Sequence, residues 1–449
     1  MANVVSNIFR IPDLRKKIFF TMFILIVFRI GAHIPIPGIN VEALEAYFAN
    51  ASQQAAGGLL NFFDLFSGGA LKRFTIFALG VMPYISSSII LQLLTVVVPS
   101  LERLSKEGPE GRKKIQKYTK YLTVVLCVFQ AAAMTKWLAS MQGAPGSQPI
   151  VSDLGAGFFI LSVVAITTGT MVLVWLGEII TERGIGNGIS LIIFGGIVVR
   201  LPSAIYQTGE RIISKSEPIM GIILMGVFLF VVAAAILLTL GRRNIPVQYG
   251  KRQVGGRTVQ APAQVLPIPI NAGNVIPIIF ASSILMFPTQ ILNMLQAKSP
   301  IVSKIEFWLA PGRPTYIAIY ILLVVFFCFF YASIVFNPHD VAENLKKYQG
   351  FVPGIRPGQN TQDYLMTVLN RITLSGALFL AFIAITPDIA MNLWPEDMTA
   401  DIAYNLFGGT SLLIIVGVAL DTLKQIESQL LMRHYDGFFK DVRLKSRRS

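Results

Sequence analysis

This sequence predicts an all-α polytopic membrane protein with ten transmembrane helices. Of its 449 residues 53% are hydrophobic and only 14% charged, and Gly (37) and Pro (24) are plentiful, as in interrupted membrane helices. The apolar residues gather into ten runs, each near the roughly 20 residues that span a hydrocarbon core. The basic residues fall in alternate connections between those runs, as membrane topology requires. A net charge of +14 would suggest nucleic acid in a soluble protein, but here topology accounts for it first. Cys127 and Cys328 both lie inside apolar runs, which argues for packing as small hydrophobes and against a disulfide framework.

Residues 1–17 combine Val4, Val5, Ile8 and Phe9 with Arg10 and the Arg15–Lys17 cluster, and read as a cytoplasmic amphipathic segment. Span 1 covers about 18–36 and leads into GAHIPIPG, not a small-residue cleavage site, so no cleavable signal is expected. Spans 2–5 are expected at about 74–98, 118–141, 155–178 and 185–205, completing an N-terminal half over 18–205. Spans 6–10 follow at about 217–241, 273–296, 315–336, 365–387 and 403–423, a C-terminal half over 206–423. That half carries long loops at 242–272 and 337–364, and a basic tail, 424–449, follows it. The 99–120 connection holds Arg103, Lys106, Arg112, Lys113, Lys114, Lys117 and Lys120, whereas the connection after span 9 holds Asp388, Glu396, Asp397 and Asp401 with no base. Both termini are therefore expected in the cytoplasm. Five spans per half makes the halves inverted if they are repeats. Span 2 reads PYISSSIIL from Pro83 and span 7 reads PIIFASSIL from Pro277, although chance matches are common in apolar runs.

The stretch Leu59–Pro99 stands out. LLNFFDLF is flanked by Gly57, Gly58, Gly68 and Gly69 and precedes a full apolar run. Eight residues of helix rise only about 12 Å, so the piece is too short to span. It reads either as a re-entrant element, tolerated at membrane depth where protein or a water-filled cavity surrounds it, or as a surface loop with a few aromatics.

Several chemistries are missing. His33, His339 and His434 are far apart and form no H-E-x-x-H, and neither a phosphate-cradling G-x-x-x-x-G-K-[ST] nor a G-x-S-x-G elbow occurs, so neither enzyme nor cofactor is expected. Gly184, Gly186 and Gly188 miss the dinucleotide spacing and open a span, where they permit close packing or bending. The charges Arg29, Lys136, Glu178, Arg371 and Asp421 lie toward span ends, unlike the central charges that bind coupling ions in transporters. Mid-span positions are apolar instead: Val81 and Ile85, Ile189 and Ile193, Ile279, and Ile414. The first two pairs are i,i+4 and share a helix face. Ordinary helix packing accounts for them; a ring of such side chains around a cavity would gate by excluding water. The loops YGKRQVGG and NPHDVAENLKKYQGFVPGIRPGQNT are long, with basic tips, and suit either a soluble partner or anionic lipid headgroups.

The blocks RIGAHIPIPG, FSGGALKRFTIFALGVMPYISSSIILQLL, WLGEIITERGIGNGISLIIFGGI, IPIIFASSILMFP, FNPHDVAENLKKYQGFVPGIRPG and FGGTSLLIIVGVALD resemble the SecY family, the pore subunit of the bacterial protein-conducting translocon. The resemblance covers essentially the whole chain. It implies two pseudo-symmetric, inverted five-helix halves around an hourglass pore with a short plug helix at about 61–73. The plug would comprise Asn61, Phe62, Phe63, Asp64, Leu65, Phe66, Ser67, Gly68, Gly69, Ala70 and Leu71. The pore ring would be Val81, Ile85, Ile189, Ile193, Ile279 and Ile414; isoleucine is familiar at the first, so Val81 is a mild departure. A lateral gate would open between spans 2–3 and 7–8, with Ser86, Gln92 and Ser283 on its faces. Lys251, Arg252 and Arg356 would engage the SecA motor or the ribosome. The resemblance further implies SecE and SecG as membrane subunits, signal peptides and nascent or precursor polypeptides as passengers, and the bacterial plasma membrane as the site of action. Two other classes compete: a secondary transporter with a solute site near Gly184–Gly188, which the missing central charges disfavour, and an intramembrane protease, which the missing catalytic groups disfavour.

Overall fold

The computed structural model describes residues 11–51, 64, 67–140, 149–151, 155–214, 218–249, 252–254, 257–259, 264–295, 308, 313–393 and 409–441. The chain divides into two compact units: Met1–Ser203 with Gln290–Ala297 and Val418–Ser449, and Ala204–Thr289 with Lys298–Gly417.

The first unit is helical. Its helices are α1 (Pro12–Gly31), α2 (Val41–Ala51), α3 (Met82–Val97), α4 (Pro99–Lys106), α5 (Pro109–Ser140), α6 (Ala156–Arg183) and α7 (Gly188–Val198). α1 begins within the expected amphipathic segment, so Pro12–Lys17 continue directly into the first span. Span 2 does not start as helix at Phe74. Residues 76–80 form turns, Phe74 takes a left-handed φ of 44°, and α3 begins at Met82 with Pro83 in its first turn. Proline fits there because its missing N–H has no helical partner to lose. α3 ends where Val98 is extended (φ −99°, ψ 112°) before Pro99, and α4 turns away by 100°. α3 packs on α5, α5 on α6, α6 on α7, and α1 on both α6 and α7.

Glycines let these helices meet backbone to backbone. A Cβ on Gly188 would lie 1.9 Å from the Gly177 carbonyl oxygen, and one on Gly169 would lie 1.9 Å from that of Ile76. Behind them Ile36, Leu44, Phe48, Leu71, Phe74, Leu138, Ile150 and Ile166 form a buried cluster that anchors the turns before α3.

In the second unit α8 (Leu201–Ser214) and α9 (Pro218–Leu240) lead into β1 (Arg242–Tyr249), β2 (Arg252–Val254), β3 (Arg257–Val259) and β4 (Gln264–Pro269). Then come α10 (Ile276–Leu295), α11 (Pro314–Val335), α12 (Pro338–Lys347), β5 (Gly350–Phe351), α13 (Gln359–Leu393) and α14 (Gly409–Asp441). The start of α8, the end of α10 and α14 from Val418 onward belong to the first unit. β1 pairs antiparallel with β4 from Arg242↔Pro269 to Val247↔Gln264, and with β5 at Gln248↔Phe351 and Tyr249↔Gly350. The two long loops, read separately in the sequence, are thus joined in one sheet of order β4-β1-β5. Ile245 and Val247 alternate inward on β1, and Ile245 packs with Ile268, Val352, Leu365 and Leu369.

Every expected span coincides with a helix, yet among the described residues only α5, α6, α11 and α13 contain windows long and apolar enough to cross a membrane, five spans if the bent pair α3–α4 counts as one. Three causes are local. α1 carries Arg15, Lys16, Lys17 and Arg29, α7 has only 11 residues, and α3 is bent away at Pro99.

Candidate functional site

The apolar positions expected at mid-span lie instead near helix starts: Val81, Ile85, Ile189 and Ile279 fall at the N-cap or in the first turn, since non-helical residues precede these helices, and Ile193 and Ile414 lie a little further in. Val81 is the N-cap residue of α3, 1% exposed, and its carbonyl accepts from the Ile85 N–H at 3.1 Å. Ile189 follows the first residue of α7, whose Asn187 cap accepts from the Ser190 N–H at 3.3 Å, and Ile193 lies one turn on, 2% exposed. Gly177 of α6 makes room for Ile189: a Cβ there would meet its Cδ1 at 2.7 Å. All four residues belong to the first unit. In the second unit Ile279 occupies the first turn of α10, and Ile414 is buried in α14. α10 and α14 approach closely there, since a Cβ on Gly417 would meet Val275 Cγ2 at 2.1 Å.

Gln92 and Ser283 are hydrogen-bonded within their own helices. Gln92 Nε2 donates to Ser88 Oγ at 3.2 Å, and Ser86 is half-buried one residue after Ile85. Ser283 Oγ donates to the Ile279 carbonyl at 2.7 Å, so its hydroxyl can slide against apolar surface without an open hydrogen bond.

Of the expected plug, Asn61, Phe62, Phe63, Leu65 and Phe66 lie outside the described residues. Asp64 and Ser67 are helical and Gly68–Leu71 form a turn; Gly69 N donates to Asp64 O at 3.0 Å and Ser67 Oγ donates to the same carbonyl at 3.1 Å. Gly68 and Gly69 take φ of 67° and 93°, the left-handed region open to glycine. The Asp64 carboxylate is fully buried; it accepts from the Lys72 N–H at 3.1 Å and pairs with the Arg200 guanidinium. Sequence reasoning missed Arg200, because a lone arginine at the end of an apolar run carries no local signal. Of the charges left near span ends, Glu178 of α6 pairs with Lys120 of α5 at 2.7 Å, and Arg29 of α1 donates to the Gly68 carbonyl at 2.6 Å.

Among the docking candidates, Lys251 lies outside the described residues. Arg252 opens β2, paired with Val259 of β3. Arg356 is exposed between Gly354 and Gly358, both at positive φ (83° and 107°), and its carbonyl accepts from Thr361 Oγ1 at 2.9 Å.

The fold is that of protein-conducting channels. A solved protein-conducting channel superposes over 92% of both chains with a TM-score of 0.64 at 20% identity. Sec61 in the canine ribosome–channel complex from the endoplasmic reticulum covers the same shares with a TM-score of 0.60, also at 20% identity. In sequence, the SecY family profile matches residues 75–423. The SecY translocase subunit of Streptomyces galbus is 45% identical over 448 residues, covering 98% of this chain and all of the relative. That of Escherichia coli K12 is 44% identical over 436 residues, 96% of this chain and 95% of the relative. The chain belongs to the SecY family. It is a multi-pass membrane protein and a channel subunit, not an enzyme, and nothing in these relationships supports a solute transporter.

Proposed function

We propose that this chain is the polypeptide conduit of the bacterial plasma-membrane translocon, with both termini cytoplasmic. It passes unfolded secretory chains across the membrane and releases transmembrane segments sideways into lipid. The observation that carries this reading is the placing of branched apolar side chains, two i,i+4 pairs among them, at the starts of α3, α7 and α10. Val81, Ile85, Ile189, Ile193, Ile279 and Ile414 form the constriction. They offer a threading chain no fixed hydrogen bonds, so varied sequences pass, and their closed surface excludes water and ions. The segment around Asp64–Leu71 plugs it at rest. Ser86, Gln92 and Ser283 flank a sideways exit, where an apolar passenger gains about 0.3 to 0.6 kcal/mol per strongly apolar residue on entering lipid.

A conduit supplies no energy of its own. SecA or the ribosome drives transit, docking on the loop segments at Lys251, Arg252 and Arg356. Sec61 and Ssh1 channels are seen in ribosome complexes, which supports the ribosome as one such partner. SecE and SecG complete the membrane assembly, signal peptides open it, and anionic lipids meet the remaining cytoplasmic cations.

The test is a cross-link. Cys127 and Cys328 are replaced by Ser, a cysteine is placed by Ile85→Cys or Ile279→Cys, and a secretory precursor carrying one cysteine is arrested at graded lengths. Disulfides that track precursor length place the passenger at the ring. Continued export with no cross-link at any length would put the path elsewhere.

A further inference from the structure

The Asp64–Leu71 turn is fastened to the first unit by two arginines from distant parts of the chain, 136 and 39 residues away from the groups they bind. We infer that Arg200 and Arg29 are positioning residues that hold the plug shut, so that opening the channel requires unlatching Asp64. The inference rests on the reading of this segment as the plug.

Asp64 is 0% exposed. A buried carboxylate is tolerated only when it is paired and hydrogen-bonded. Here the Arg200 guanidinium binds its Oδ2, the Lys72 N–H its Oδ1, and Lys72 Nζ lies 3.9 Å away. Arg200 lies just past the Val199 C-cap of α7, its N–H bonded to Ile197 O at 3.1 Å. The clamp therefore joins the turn to the same short helix that carries Ile189 and Ile193 at its other end. Arg29, in the last turn of α1, grips the backbone at Gly68 O. Between these contacts the turn lies directly on α7: a Cβ on Gly68 would stand 2.9 Å from Gly196 Cα, and one on Gly69 would stand 3.3 Å from the Arg200 guanidinium.

The surroundings make the clamp reversible. A pocket of 170 Å³ opens beside it, lined among others by Arg29, His33, Glu45, Lys72, Arg73 and Arg200. Once the turn lifts, the separated charges can hydrate there instead of remaining bare in an apolar wall. A buried pair with no such outlet would serve only to brace the fold; this one borders open space on its cationic side.

The experiment uses the complete translocon reconstituted in planar bilayers, with resting ion conductance as readout. Arg200→Gln and Asp64→Asn should each raise resting conductance about tenfold or more, the shift that about 1.4 kcal/mol of lost closed-state preference produces. The double variant should leak no more than the leakier single one, because both remove the same interaction. In a Cys127→Ser, Cys328→Ser background, Ser67→Cys should become reactive to a membrane-impermeant maleimide when Arg200→Gln is added. Arg200→Lys, which keeps the cation, should leak less than Asp64→Asn and serves if Arg200→Gln does not assemble. Additive leaks in the double variant, or wild-type conductance in both single variants while deletion of Asp64–Leu71 raises it, overturn the clamp and leave the plug reading intact. An unchanged conductance after that deletion overturns the plug reading, and the clamp with it.

Discussion

The Asp64–Leu71 region in the first unit and the β4-β1-β5 sheet in the second handle charge in opposite ways. At the turn, Asp64 is wholly buried and bound by Arg200 and by the Lys72 N–H, while Gly68 and Gly69 bring the backbone against α7. On β1, only the inward positions Ile245 and Val247 are buried, and Arg356 stands exposed on a tip framed by glycines. A paired charge in a dry wall loses several kcal/mol when its partner is removed. An exposed cation contributes about 0–1 kcal/mol to its own fold. Charge in the first region is thus spent on contacts within the chain, whereas charge at the sheet stays open to solvent.

Changes to the dry region should have the largest effects. Ile85→Asn combined with Ile279→Asn should raise resting ion conductance in planar bilayers by about tenfold or more, because a wettable constriction no longer excludes water. Conductance equal to wild type would remove the distinction between constriction and ordinary helix packing. Next comes the glycine seam. Gly188→Ala places a methyl 1.9 Å from the Gly177 carbonyl oxygen, and should destabilise the purified protein by roughly 1–3 kcal/mol, read as a lowered unfolding temperature.

Changes at the exposed sheet should spare the fold and affect traffic instead. Arg356→Glu should reduce motor-driven export severalfold while leaving the unfolding temperature within experimental scatter, and normal export by the assembled variant would dissociate this tip from docking. The smallest effect belongs to α4. Its Glu102 carboxyl, held by Lys106 at 2.6 Å, lies below the ordinary carboxylate value because of that hydrogen bond. A lowered value means that its contribution is present above the unfolded pKa and fades as pH falls through the folded one. Thermal scans of wild type and Glu102→Gln should therefore converge only on acidification below about pH 4.3, and by little, since both groups are exposed.

Helix positions were legible in the sequence because apolar runs long enough to span a bilayer have few other uses. The start of α3 was not: Phe74–Val81 is as apolar as the helix it precedes, and hydropathy cannot distinguish helix from turns when both are buried. The left-handed Phe74 and the Pro83 start decide it. The sheet was hidden for another reason. β1 and β5 are more than ninety residues apart, and a two-residue strand such as Gly350–Phe351 has no period to detect. The apolar candidates were visible as i,i+4 pairs but read as mid-span positions; Val81 and Ile189 instead stand at helix starts, because non-helical residues precede both helices, and Val81 and Ile193 are buried with Ile85. What fastens the turn beside them was not visible, because an ion pair between Asp64 and Arg200 is a product of tertiary approach and leaves no trace in local pattern.

Joining the two long loops through β1 has a mechanical consequence. A load applied at the Arg356 tip passes through Val352 and β5 into β1, and from there into the ends of α9 and α10 that β1 and β4 extend. Because β1 lies between β4 and β5, neither loop can be pulled without straining the other. The Arg356 tip is thus tied through one sheet to the segments that leave α9 and enter α10.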